Sequence, residues 1–227
     1  MFLSPTTIDE NVWDWVVQNR SEPWITIAEV ITILGNTLVL TTLTVLAVVG
    51  LAAAGRRVDA VYVGVGTILG YALMQGLKFG FARNRPPIED RLLNIDSFSY
   101  PSGHAMMTMI VFGLCAVAAY RCFVWVRENR WILLLAPLLS ILVGLTRIVL
   151  GGVHWTTDVV SGWVIGVLWV ALCTWGAGAV RIAEAYRRSR RRGLTGGIRP
   201  RGGIVRMCAT GIDCGDVASG SAVRWGG

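Results

Sequence analysis

Only two histidines, His104 and His154, and one lysine, Lys78, occur among the 227 residues. All three lie in short polar clusters beside long apolar runs: KFGFARNRPP (78–87), YPSGHA (100–105) and TRIVLGGVHWTTD (146–158). In the first cluster Lys78 and Arg85 are seven apart, a spacing that predicts one helical face two turns apart, with Pro86 ending the helix. Such a pair either snorkels to lipid headgroups or holds an anion. In the second, Ser102 is a good N-cap and Gly103 permits close backbone approach, so the free amides of the helix start form an anion site. His104 beside them either belongs to a capped helix start or donates a proton to a leaving oxygen. In the third, Asp158 follows His154 by four residues, where its carboxylate can accept a hydrogen bond from one ring nitrogen and leave the other free to attack. An interfacial histidine near a first-turn aspartate would share this spacing. Arg147 adds a planar fork suited to phosphate oxygens.

Together, three cations, a helix N-terminus, two histidines and one orienting carboxylate supply the parts of in-line transfer at phosphorus. There the protein mainly positions groups and stabilises charge. Glu89, Asp90 and Asp96 lie between the clusters without metal-ligand spacing, so the expected chemistry needs neither a metal nor another cofactor.

The elements that carry these clusters are membrane helices. The chain is 54% hydrophobic and only 15% charged, where soluble domains average about 25% charged. Residues 30–54, 60–77 and 159–180 carry no charge, and neither do the shorter runs 105–120 and 131–146. A helix of about 20 apolar residues crosses the hydrocarbon core, which predicts five spans. The fold class is therefore all-α, a polytopic membrane bundle. Trp24, Trp131 and Trp155 mark span edges as interfacial aromatics. Residues 1–23 lack the basic and apolar regions of a signal peptide. Ile8, Val12, Trp15 and Val16 predict an interfacial helix there instead.

Arginine placement predicts orientation. Arg56, Arg57, Arg121, Arg127, Arg130 and the cluster from Arg181 to Arg192 fall on one side, which should be cytoplasmic. The N-terminal segment and all three polar clusters then face out. The basic cluster is expected to meet anionic headgroups and not nucleic acid. Five cysteines form no disulfide or metal pattern. The expected organisation is an extracytoplasmic or interfacial segment (1–23), a membrane domain (24–180) and a basic, Gly-rich, disordered cytoplasmic tail (181–227). Nothing in it specifies an oligomeric state.

In its motifs the chain resembles the type 2 phosphatidic acid phosphatases, membrane lipid phosphatases that share a helical core with vanadium haloperoxidases. The family pattern is Lys-x6-Arg-Pro, Pro-Ser-Gly-His and Ser-Arg-x5-His-x3-Asp. Lys78, Arg85 and Pro86 meet the first element, and Pro101, Ser102, Gly103 and His104 the second. Arg147, His154 and Asp158 meet the third with two departures: Thr146 replaces the serine, and an extra glycine, at 151 or 152, separates Arg147 from His154. A Gly-Gly break between two helices is expected to absorb that residue. The resemblance covers residues 55–180 and implies that Lys78, Arg85, Arg147, Ser102 and the Gly103 amide hold phosphate. It further implies that His154 attacks phosphorus with Asp158 orienting it, and that His104 protonates the leaving alcohol. The implied substrates are phosphatidic acid, phosphatidylglycerol phosphate or a polyprenyl pyrophosphate, the last favoured by the outward site and small size. A catalytically inactive protein that only binds lipid phosphate is the alternative; a haloperoxidase-like enzyme is disfavoured by the spans.

Overall fold

The structure is a computed structural model that describes residues 4–87, 97–150 and 153–195. Two units divide the chain, Met1–Ala185 and Tyr186–Gly227. The first holds all three polar clusters, 78–87, 100–105 and 146–158. Of the second, only residues 186–195 are described, as helix; the rest of the predicted tail lies outside the described residues.

All regular elements among the described residues are helices: α1 (Thr7–Asn19), α2 (Glu22–Thr32), α3 (Thr37–Ala53), α4 (Arg57–Phe81), α5 (Gly103–Cys122), α6 (Val124–Glu128), α7 (Leu135–Val149) and α8 (Thr156–Thr195). The stretches Arg57–Phe81, Gly103–Cys122, Arg130–Val149 and Thr156–Arg181 are each long and apolar enough to cross a membrane. A fifth candidate is a bent pair, Glu22–Gly35 and Thr37–Ala53, that meets at 41°. The continuous span expected over 30–54 is thus broken. Asn36 causes the break by taking an extended backbone and accepting a hydrogen bond from the Leu38 amide at 2.9 Å, which starts a new helix.

Unlike a water-soluble bundle, this one is apolar on its outer faces as well as in its interior. Val63, Met106, Ile110, Val111 and Leu114 are sealed in the interior, while Leu46, Val61, Leu168 and Trp175 lie open on the outer faces. Lipid is as apolar as these side chains, so only packing and polar satisfaction draw the helices together. Small residues accordingly sit where helices touch. A Cβ at Gly162 would lie 3.0 Å from the Ser102 carbonyl oxygen, and one at Gly166 would lie 2.8 Å from Met109 Cβ, so α8 lies directly on α5.

The two ends of the bundle differ in charge. At one end buried Asp59 pairs with Arg56 at 3.4 Å, Arg121 at 3.7 Å and Arg181, tying α4, α5 and α8 together. Lys78 lies nineteen residues further along α4, a rise of about 28 Å, close to one hydrocarbon thickness. The arginine-rich loops and the histidine clusters therefore occupy opposite ends. Trp24 and Trp131 are exposed as interfacial residues should be, whereas Trp155 is buried. Its indole donates to the Asn84 carbonyl and packs near Trp13, so it belongs to the protein interior.

Candidate active site

Lys78, Arg85, Gly103, His104, Arg147 and His154 line one cavity of about 800 Å³. Ser102 and Asp158 are fully buried and do not form its walls.

Local chain geometry brings these residues together differently from the spacing alone. The α4 helix stops at Phe81, where Ala82 turns left-handed (φ 44°) and its amide caps the Lys78 carbonyl. Arg85 is therefore not on the helical face of Lys78. It enters the cavity from the following segment, held by the carbonyls of Ser97 and Val153 and by the Ser97 hydroxyl at 3.0 Å. Lys78 is 7% exposed, and its ammonium donates to the Phe98 carbonyl at 2.6 Å. Ser102 stands at the N-cap of α5, but its hydroxyl makes no capping bond and has no partner among the described residues. Arg147, in the last turn of α7, donates to the Thr32 hydroxyl at 3.0 Å and keeps its Nε buried without a partner. Buried polar groups are seldom left unpaired. Arg147 lines the cavity, so its orphaned Nε is a donor available to a bound anion.

The extra glycine falls at 151 or 152, outside the described residues. On either side, α7 ends at Val149 and α8 begins at Thr156. The two helices are separate, so an added residue does not rotate one motif half against the other, and Arg147 and His154 reach the same cavity.

His154 is 4% exposed and lies in the turn before α8. Its Nε2 is 3.2 Å from an Arg85 guanidinium nitrogen. Arginine only donates, so Nε2 is the acceptor and the neutral ring carries its proton on Nδ1. Burial, with help from Arg85 and Lys78 and against the pull of Asp158, holds the imidazole down to about 3. At neutral pH it is unprotonated at Nε2, as a nucleophile must be. The expected direct bond from Nδ1 to Asp158 is not made, because Nδ1 and Asp158 Oδ2 stand 3.8 Å apart. His154 is not in the same helix as Asp158, and Ser99 lies between them. The Ser99 hydroxyl donates to Asp158 Oδ2 and is 3.4 Å from Nδ1.

Sequence reasoning missed three contributors. Ser99 precedes the recognisable Pro-Ser-Gly-His motif by one residue and carries no motif signal. Arg83 is an interposed residue between Lys78 and Arg85, yet it is 2% exposed and bonds Asp158 at 2.5 Å. Gly35, at the break between α2 and α3, packs so closely that a Cβ there would lie 2.5 Å from His104 Cδ2.

Below the polar end the cavity continues between α3 and α4. Leu40, Thr44 and Val48 line it from α3, and Gly64, Ile68 and Tyr71 from α4. From Lys78 to Gly64 the α4 wall extends about 21 Å, roughly two-thirds of the hydrocarbon depth.

The site is thus a cationic pocket at one end of a bundle of membrane-spanning length, continued by an apolar groove. The chain belongs to the PAP2 superfamily, whose family profile matches residues 59–181. It is 33% identical over 93 residues to phosphatidylglycerophosphatase B of Bacillus subtilis, covering 40% of this chain and 45% of that protein. It is 28% identical over 102 residues to an undecaprenyl-diphosphatase of Sulfolobus acidocaldarius, covering 45% of this chain and 43% of the relative. The chain thus matches less than half the length of either curated relative. Among solved structures, a PAP2-type phosphatidylglycerolphosphate phosphatase from Bacillus subtilis superposes with a TM-score of 0.71 at 26% identity, over 76% of this chain and 85% of that one. Aquifex aeolicus LpxE shares the fold, with a TM-score of 0.61 at 21% identity over 77% and 99% of the two chains. The protein is a multi-pass membrane protein of this superfamily.

Proposed function

We propose that this protein is an integral-membrane phosphatase that hydrolyses lipid phosphate monoesters or polyprenyl pyrophosphate through a phosphohistidine. One observation carries the reading: Lys78, Arg85 and Arg147 meet both histidines in a single cavity that continues as an apolar groove. The three cations hold the phosphate, joined by the Gly103 amide. Arg85 turns from Nε2 to a phosphate oxygen as substrate enters, leaving the Nε2 lone pair aimed at phosphorus. Attack forms the N–P bond as the P–O bond to the leaving group breaks, and His104 donates a proton to the departing oxygen. Water, deprotonated by His104, then releases phosphate and restores the free imidazole. Asp158, acting through Ser99, steadies the Nδ1–H side of the ring. The groove between α3 and α4 takes the apolar tail, which suits both a glycerolipid and a polyprenyl chain, the two lipid types named in the curated relatives.

Charge that a metal would supply is provided by the three cations. Phosphate release from phosphatidic acid, phosphatidylglycerol phosphate and undecaprenyl pyrophosphate is therefore expected to persist in EDTA, with kcat/KM ranking the three. Loss of turnover in EDTA that Mg²⁺ restores would refute metal independence, and no release from any of them would leave lipid-phosphate binding alone.

The site end is proposed to face out of the cytoplasm, because the arginine-rich loops cluster at the other end. In a cysteine-free background, Glu10→Cys is expected to react with a membrane-impermeant maleimide in intact cells and Arg127→Cys only after lysis. The reverse pattern would invert the topology.

A further inference from the structure

Asp9 belongs to α1, far in sequence from every motif, yet it is 0% exposed. Its local duty is ordinary: it closes a capping box with Thr6 at the start of α1. That duty does not require burial, and both of its oxygens do more. Oδ1 accepts from the Thr157 amide at 2.8 Å, capping the first turn of α8 from outside that helix. Oδ2 accepts from Arg83 at 2.8 Å and from the Thr157 hydroxyl at 2.8 Å. The other guanidinium nitrogen of Arg83 donates to the Thr157 hydroxyl and to Asp158 Oδ1. Arg83 thus lies between two carboxylates, and the second is the one that faces His154.

Charge decides what this arrangement does. Arg83, 2% exposed, would by itself cancel the negative charge of Asp158 in a region with little water to screen it. Asp9 balances Arg83, so the three groups together keep one negative charge on the Nδ1 side of the ring. Ser99 and Asp158 can then stabilise the Nδ1–H proton while Nε2 attacks and carries phosphorus. Although burial opposes it, hydrogen bonds from Thr157, Thr6 and Arg83 hold the Asp9 carboxyl down to about 2, so the balancing charge is present at any working pH.

We propose that Asp9 is a positioning residue for the nucleophile, acting through Arg83 to preserve the charge of Asp158 beside His154. The proposal rests on the phosphatase reading for its kinetic consequence but not for its spectroscopic one. Asp9→Asn is expected to lower kcat per folded enzyme by about 10- to 30-fold, in the range of outer partners that orient a histidine. KM should stay within about twofold, because Lys78, Arg85 and Arg147 are untouched. The double variant Asp9→Asn/Arg83→Met removes the unbalanced cation together with its partner, and is expected to recover kcat to within about threefold of wild type.

A purely structural latch would recover in the same way, so the deciding measurement is the ring itself. The chain has two histidines, so ¹⁵N-histidine NMR in detergent gives one set of signals for each, assigned with His104→Gln. In Asp9→Asn the His154 Nδ1 signals should move toward those of a free imidazole, and in the double variant they should return. Thr157→Val deletes only the bridging hydroxyl and should move them the same way by less, which decides the matter if Asp9→Asn does not fold. Unchanged His154 signals in a folded variant would overturn the proposal, whatever the activity. His154 signals that move in Asp9→Asn, together with a wild type that releases no phosphate from any lipid, would retain the coupling and refute the phosphatase reading instead.

Discussion

Replacing His154 with alanine is expected to reduce kcat by at least about 10⁴-fold, the scale on which removal of a covalent nucleophile is felt. Of the two histidines that line the cavity, His154 is the one whose Nδ1 side is backed by Ser99 and Asp158. Binding should survive. Lys78 and Arg147 make none of their contacts through His154, and Arg85 retains the Ser97, Phe98 and Val153 carbonyls. The variant should therefore bind lipid phosphate with a Kd within a few-fold of wild type while forming no phosphoenzyme. Brief reaction with ³²P-labelled substrate, quenched in alkali where phosphohistidine is stable, measures this directly. Label retained by His154→Ala would assign the nucleophile elsewhere. Turnover retained without label would replace the covalent route by direct attack of water.

Gly35→Ala should cost about 100-fold in kcat on natural lipid substrates, although Gly35 carries no functional group. The added Cβ would fall 2.5 Å from His104 Cδ2 and 2.7 Å from Val143 Cγ1. Val143 is fully buried and has nowhere to go, whereas His104 borders the cavity and can move into it. A catalytic group displaced by about 1 Å loses on the order of 100-fold. The effect should depend on the leaving group. An alkoxide must be protonated as it departs, so lipid esters should suffer fully; p-nitrophenolate needs no proton, so p-nitrophenyl phosphate should be cleaved within about fivefold of wild type. Equal losses on both substrates would show that His104 is not the acid. This contrast also separates a displaced side chain from a misfolded protein, which would lose both activities together.

Much of this molecule is readable in one dimension because lipid imposes a simple rule. A backbone in hydrocarbon must satisfy its own hydrogen bonds, so uncharged runs of spanning length become helices. Four of the five runs did so nearly as bounded. The fifth, 30–54, broke at Asn36 because a single side-chain hydrogen bond competes with helix continuation at that point. Scarcity makes the site legible too: with two histidines and one lysine, His104, His154 and Lys78 stand out in the sequence, along with Arg85, Arg147 and Asp158 by their spacing.

Spacing misled where it assumed one helix. Lys78 and Arg85 are separated by the left-handed turn at Ala82, and His154 and Asp158 by the start of α8, so the pairs meet through turns and not through helical register. Composition, periodicity and motif order by themselves determined the helical class, the lipid-facing character and the residue types available for chemistry. Those properties depend on each segment and its solvent. Only the tertiary structure decided that Ser99 stands between His154 and Asp158, that Gly35 makes room for His104, and that Asp9 reaches Arg83 across 74 residues of chain. Such contacts join segments remote in sequence, and their geometry is fixed by how helices pack against one another, a quantity no local pattern encodes.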